Sequence, residues 1–166
     1  MNAAELPIRA RVALALGAAD HSLPELQANS KALSAARAAL SDGWRWTAGK
    51  GVRARDLYTH IHTLLPLEPS VEADPRATSA LYALIDALYY AAWHAQAFDT
   101  SEGEQLPNDM AEIGEDSLTS ALDHATQATN SDAWQARAIQ HLVAATVGTG
   151  PADAGPVITR EQLTDA

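Results

Sequence analysis

Apolar residues recur at steps of three and four along most of this chain, with no run of strict alternation. That period puts one side of a helix into a core and predicts helices rather than strands. The first runs from about Leu6 to Ala19. Ile8, Val12, Ala15, Leu16 and Ala19 share a face, and Arg9 and Arg11 lie beside it. Ser22 then reads as an N-cap, with Pro24 and Glu25 in the first turn, where both are favoured. The second helix turns Leu26, Asn29, Leu33, Ala36 and Leu40 inward. It ends near Gly43 to Trp46, ahead of the Gly49-Lys50-Gly51 break. The third, about Val52 to Leu65, buries Ala54, Leu57, Tyr58, Ile61, Leu64 and Leu65. Pro66 and Pro69 close it.

The fourth helix has the firmest signature. Asp74 caps it and Pro75 takes the first helical position. Ala77, Leu81, Leu84, Leu88, Ala91 and Ala95 repeat at steps of four and three, and Ile85 and Ala92 widen the stripe. So broad an apolar surface predicts a central helix buried on more than one side. Its run to about Phe98 would span roughly 35 Å. Thr100 to Asn108 reads as a polar loop. Helix five, about Asp109 to Thr129, uses Met110, Ile113, Leu118, Ala121, Leu122 and Ala125, and Gly114 weakens its first half. Asn130-Ser131 recaps the chain. Helix six, about Asp132 to Val147, turns Trp134, Ala138, Leu142 and Ala145 inward. These elements predict an all-α fold: one bundle of about six mostly antiparallel helices over residues 1–147. A flexible C-terminal tail over 148–166 follows, with one turn near Thr159 to Leu163.

Composition agrees with this reading. Alanine makes up about a fifth of the 166 residues, and Val, Ile and Phe are sparse, which favours helix on intrinsic propensity. Cysteine is absent, which excludes disulfides and thiolate metal sites. The start of the chain lacks the basic, then apolar, pattern of a signal peptide. No stretch reaches the ~20 apolar residues of a membrane helix. The expectation is a soluble cytoplasmic protein with no membrane partner.

Charge is distributed unevenly. Residues 77–136 hold ten acids and no Lys or Arg, so the chain passes from Arg76 to Arg137 without a base. The first 76 residues carry nine bases against eight acids, and the last 30 two against three. The net charge of −10 therefore sits in one third of the protein. Such a block argues against nucleic-acid binding, which needs clustered Lys and Arg. It makes a field able to steer and hold a basic partner, or a solvated face that keeps the protein soluble.

Catalytic motifs do not assemble. His60 and His62, two apart on a helix, point in different directions. Asp56 and His60, four apart, supply only two ligands. The Glu-x-x-His pairs of a di-metal bundle are missing. Gly49-Lys50-Gly51 lacks the spacing and the hydroxyl of a phosphate loop, and no Gly-x-Ser-x-Gly elbow occurs. The expectation is a protein that is not an enzyme and carries no cofactor and no metal. Two other constellations stand out. Tyr82, Asp86, Tyr89, Tyr90 and Trp93 form a stripe on helix four, readable as core meeting a buried polar group or as interface anchors. As core, Asp86 needs a partner such as Arg9, Arg11 or Arg137. Trp44 and Trp46 flank Arg45 and read as a plug at the end of the bundle.

The order of elements resembles the Imm-six family of bacterial immunity proteins, and a related family of small helical proteins. The residues behind the likeness are Arg9 and Arg11 with Val12-Ala13-Leu14, the Trp44 region, and Asp56-Leu57-Tyr58 before a Pro-bounded break. The run from Ser79 to Leu88 completes it, and the likeness spans roughly residues 5–147. The resemblance implies an all-helical protein encoded beside a secreted toxin, which it binds and blocks, with no catalytic residues. Many such toxins are nucleases with basic clefts, which an acidic surface can occupy and reach quickly. The expected partner surface is Asp99, Glu102, Glu104, Asp109, Glu112, Glu115 and Asp116, seven acids within 18 residues. Glu112, Glu115 and Asp116 are predicted on one helical face. The competing readings are a metal-dependent helical enzyme or stress protein built on Asp56, His60 and Asp86, and a homodimeric scaffold using the Tyr82–Trp93 stripe.

Overall fold

Asp74 opens the longest helix as the sequence predicts: its carboxylate Oδ1 accepts from the backbone N–H of Arg76 and Ala77, at 2.9 and 3.2 Å. The computed structural model describes residues 3–98 and 113–164. Among these, every regular element is helical. The α-helices are α1 (Ile8–Ser22), α2 (Ser30–Thr47), α3 (Ala54–Leu64), α4 (Pro75–Phe98), α5 (Asp116–Thr129), α6 (Ala133–Ala145) and the short α7 (Glu161–Thr164). Tight 3-10 turns lie at Ala3–Glu5, Leu23–Leu26 and Leu65–Ser70.

Helix α4 is central, packing against α1, α2, α3 and α5. Helix α1 shares that role. It is buried on all sides from Ala10 to Ala19, between α2, α4, α5 and α6. The sequence marks only one apolar face there. The small Ala and Gly residues on the other sides let neighbouring helices approach closely, so they too are covered. At Gly17 an added Cβ would stand 2.6 Å from Trp134 Cη2, so α6 can pack there only against a bare backbone.

Two helix starts differ from the sequence reading. The Ser22 hydroxyl does not cap the second helix; it donates back to the carbonyl of Ala19 at 2.8 Å. A 3-10 turn over Leu23–Leu26 buries Leu26, and the true cap is Asn29, whose side chain accepts from the Ala32 N–H at 2.9 Å. Asn29 therefore serves the backbone rather than the apolar face. Helix five, expected from about Asp109, also differs; residues 109–112 lie outside the described residues. Residues 113–115 form a bend, and α5 begins at Asp116. Gly114 makes a longer helix costly, and Glu115 is drawn into contacts described below. At its far end Asn130 adopts φ 55°, a left-handed stop that Asn tolerates.

Residues 148–164, expected as a tail, lie against the bundle. Ile158 and Leu163 are each 1% exposed. The carbonyls of Asp153 and Ala154 accept from the N–H groups of Ile8 and Arg9, both at 3.0 Å, so this segment caps the N-terminus of α1. Gly155 makes the approach possible: its φ is +75°, and a Cβ there would stand 2.6 Å from the Pro7 Cβ. Arg160 fixes the other end with two hydrogen bonds to Asp20, at 2.6 and 2.8 Å.

Candidate partner-binding surface

Of the seven expected surface acids, Asp99, Glu102, Glu104, Asp109 and Glu112 lie outside the described residues. Glu115 and Asp116 are described, and both are exposed. They do different things. Glu115 precedes the first turn of α5, and its carboxylate is engaged from within. Arg11 Nη1 stands 2.6 Å from Oε1, and the Tyr90 hydroxyl donates to Oε2 at 2.7 Å. Arg11 also donates to the carbonyl of Pro151 at 3.0 Å, so one buried guanidinium ties α1 to the start of α5 and to the C-terminal segment. Burial and the bond to Glu115 raise the Tyr90 hydroxyl above its ordinary pKa, which keeps it a neutral donor.

His94 completes this cluster. Its ring lies edge-on to Tyr90 with centroids 4.6 Å apart, and its Nε2 is buried without a hydrogen-bond partner. Burial, then the neighbouring Arg11, lower its pKa to about 4, so it is neutral at pH 7. Glu115 Oε1, 3.9 Å away, opposes that shift without reversing it.

Asp116 is not tied to the interior in this way. It is exposed and makes no ion pair among the described residues, and the same holds for Asp123 two turns further along α5. Residues 113–136 contain no Lys or Arg to neutralise either. Both acids line a groove of about 430 Å³ between the N-terminal 3-10 turn, α5 and α6. Leu118 and Leu122 are buried beneath it, and Ile139 is partly buried on the α6 side. The sequence does not single out Asp123, because the groove it lines is completed by Gln135 and Ile139 of α6, distant in the chain.

Asp86 is built into the fold, but not through an arginine. The Ser120 hydroxyl donates to its Oδ2 at 2.7 Å, and His124 Nδ1 lies 2.9 Å from the same oxygen. Ser120 and His124 are one turn apart on α5, so Asp86 joins α4 to α5. The rest of the stripe is likewise internal or half-covered: Tyr90 is fully buried, and Tyr82, Tyr89 and Trp93 pack against the core. The Tyr82 hydroxyl donates to Glu68. Trp44 and Trp46 are both buried, as a plug would be, and Trp44 Nε1 donates to Asp20 at 3.3 Å.

The residues of the metal reading have other partners. Asp56 accepts from the Arg53 backbone and side chain, which holds its carboxyl below the usual range. His60 pairs with Asp42 at 2.9 Å. No group of three or more His, Asp or Glu suited to a metal ion occurs among the described residues. Nor, among them, is any helix long and apolar enough to cross a membrane.

A helical bundle with an unneutralised acidic helix is the class this geometry defines. The chain belongs to the family of immunity protein Imm6, whose model matches residues 10–128, from the start of α1 to the end of α5. No curated protein and no solved structure matches it.

Proposed function

We propose that this chain is an immunity protein that binds a cognate bacterial toxin in the cytoplasm and blocks a basic active-site cleft with its acidic surface. It acts by occupancy, without catalysis, cofactor or metal. Membership of the family supplies the toxin as a partner in general terms. The observation that carries the acidic contact is the pair Asp116 and Asp123, exposed on α5 and in no ion pair among the described residues. Carboxylates left unpaired on one helix raise the on-rate for a positively charged partner and select against an acidic one. Asp99, Glu102, Glu104, Asp109 and Glu112 extend the same charge along the sequence. Glu115 contributes its half-exposed carboxylate while serving Arg11 and Tyr90.

The test is co-production with the toxin encoded beside this chain's gene, and association kinetics with an inactive form of that toxin. Reversing Glu112 and Asp116 to Lys, and leaving Glu115 intact, should slow association and flatten its salt dependence while the fold survives. A double variant that binds and protects like the parent at low salt would reduce the acidic block to a solvated face.

A further inference from the structure

Charge alone brings partners together quickly but gives a complex little lifetime. The groove beside α5 supplies what charge does not. Its base is apolar, formed by Leu118, Leu122 and Ile139, and its open edge carries Glu115, Asp116 and Asp123. Among the described residues no Lys or Arg lines it. We infer that this groove receives one large apolar side chain of the toxin, flanked on the toxin's surface by Lys or Arg. The inference rests on the toxin-binding reading and names the place and the chemistry of the contact.

Three features point to that occupant. The volume of about 430 Å³ has room for a Leu, Met or aromatic side chain. The apolar base favours a residue that loses water on entry, the usual anchor of a tight interface. Asp116 and Asp123 at the edge require basic neighbours on either side of that anchor, and an acidic or neutral segment would leave these two desolvated and unpaired. Ile139 lies beyond the residues that match the family, so one wall of the groove belongs to this chain's own α6. The groove would then help decide which toxin this chain accepts.

Two exposed or half-exposed positions at the groove allow it to be filled without touching the core: Thr119 on α5 and Gln135 on α6. Thr119→Trp and Gln135→Trp should each weaken binding of the inactive neighbouring toxin by about ten-fold or more, with unchanged melting temperature and unchanged salt dependence. Gln127→Trp, exposed on α5 but outside the groove, should bind like the parent. Asp123→Lys should instead slow association and reduce its salt dependence. If the parent binds and both groove-filling variants bind as tightly, the groove is not the anchor site and the acidic surface acts without it. If the parent does not bind the toxin at all, the neutralisation reading fails and takes the groove's occupant with it.

Discussion

The guanidinium of Arg11 stands 2.6 Å from Glu115, joining a nearly buried cation on the first helix to the residue just before the fifth. Arg11 Nη1 uses this carboxylate while Nη2 holds the Pro151 carbonyl. Its side chain is 9% exposed and that of Glu115 is 50% exposed. The two halves of the pair therefore differ in what their loss costs. Arg11→Ala removes the cation and its packing together and should destabilise the fold by about 2–3 kcal/mol. Glu115→Gln keeps the shape in a half-wet setting and should cost about 1 kcal/mol or less. Urea unfolding of both variants checks the order. Equal losses would mean that Glu115 is more shielded than its exposure implies.

His94 makes stability depend on pH in a defined window. Its pKa falls from the ordinary 6.5 to about 4 in the folded protein. Between those values the unfolded chain binds the proton and the folded one does not, so stability rises with pH. The His94 contribution is complete above about pH 6.5 and is lost as pH falls toward 4. His21 is shifted in the same direction by burial. Replacing His94 by Phe keeps the contact with Tyr90 and removes the unpartnered nitrogen. His94→Phe should flatten the loss of stability between pH 6.5 and 4 and leave stability at pH 7 equal or higher. Urea titrations across that range read the slope. An unchanged slope would assign the acid sensitivity to other groups.

Asp86 is expected to be structural, as a link between α4 and α5. Asp86→Ala strands the Ser120 hydroxyl and the His124 ring together. It should lower the melting temperature by several degrees, corresponding to about 1–2 kcal/mol. A variant of parental stability that no longer binds toxin would move this residue from the fold to the interface.

The C-terminal segment can be tested at the helix it caps. The amides of Ile8 and Arg9 donate to Asp153 and Ala154. If the segment stays docked, both should resist hydrogen exchange, and Leu163→Ala should lower that protection while costing about 2 kcal/mol or more. Exchange of these two amides at the rate of an open chain would make residues 148–166 the flexible tail that the sequence predicts.

The helices were legible because their signals are local. Asp74 with Pro75 fixes the start of α4, Asn130 the end of α5, and the period of Leu81, Leu84 and Leu88 the face that turns inward. Neighbouring residues decide these features, so one strand of text contains them. The all-helical class and the family likeness follow from the same local order, and so does the acidic block, which is a matter of counting. The sequence does not locate the second cap, because Ser22 and Asn29 are both good capping residues. Only the packing of Leu26 decides between them. Helix α1 looked one-sided because Ala carries little hydrophobic signal, although Ala on every side is what lets α2, α4, α5 and α6 close around it. Asp86 was expected to meet an arginine and met Ser120 and His124, since the chemistry of a partner is readable and its address is not. The same holds for Arg11 with Glu115 and for Asp153 and Ala154 with α1. These contacts join distant parts of the chain, and nothing in the local sequence carries the distance between them. The groove under Asp116 and Asp123 is formed by α5 together with the N-terminal turn and α6, which only the tertiary fold brings together. The sequence by itself determined the helices and the sign of the surface; the tertiary structure decided which charges are paired inside and which stay exposed, because pairing depends on contacts between distant parts of the chain.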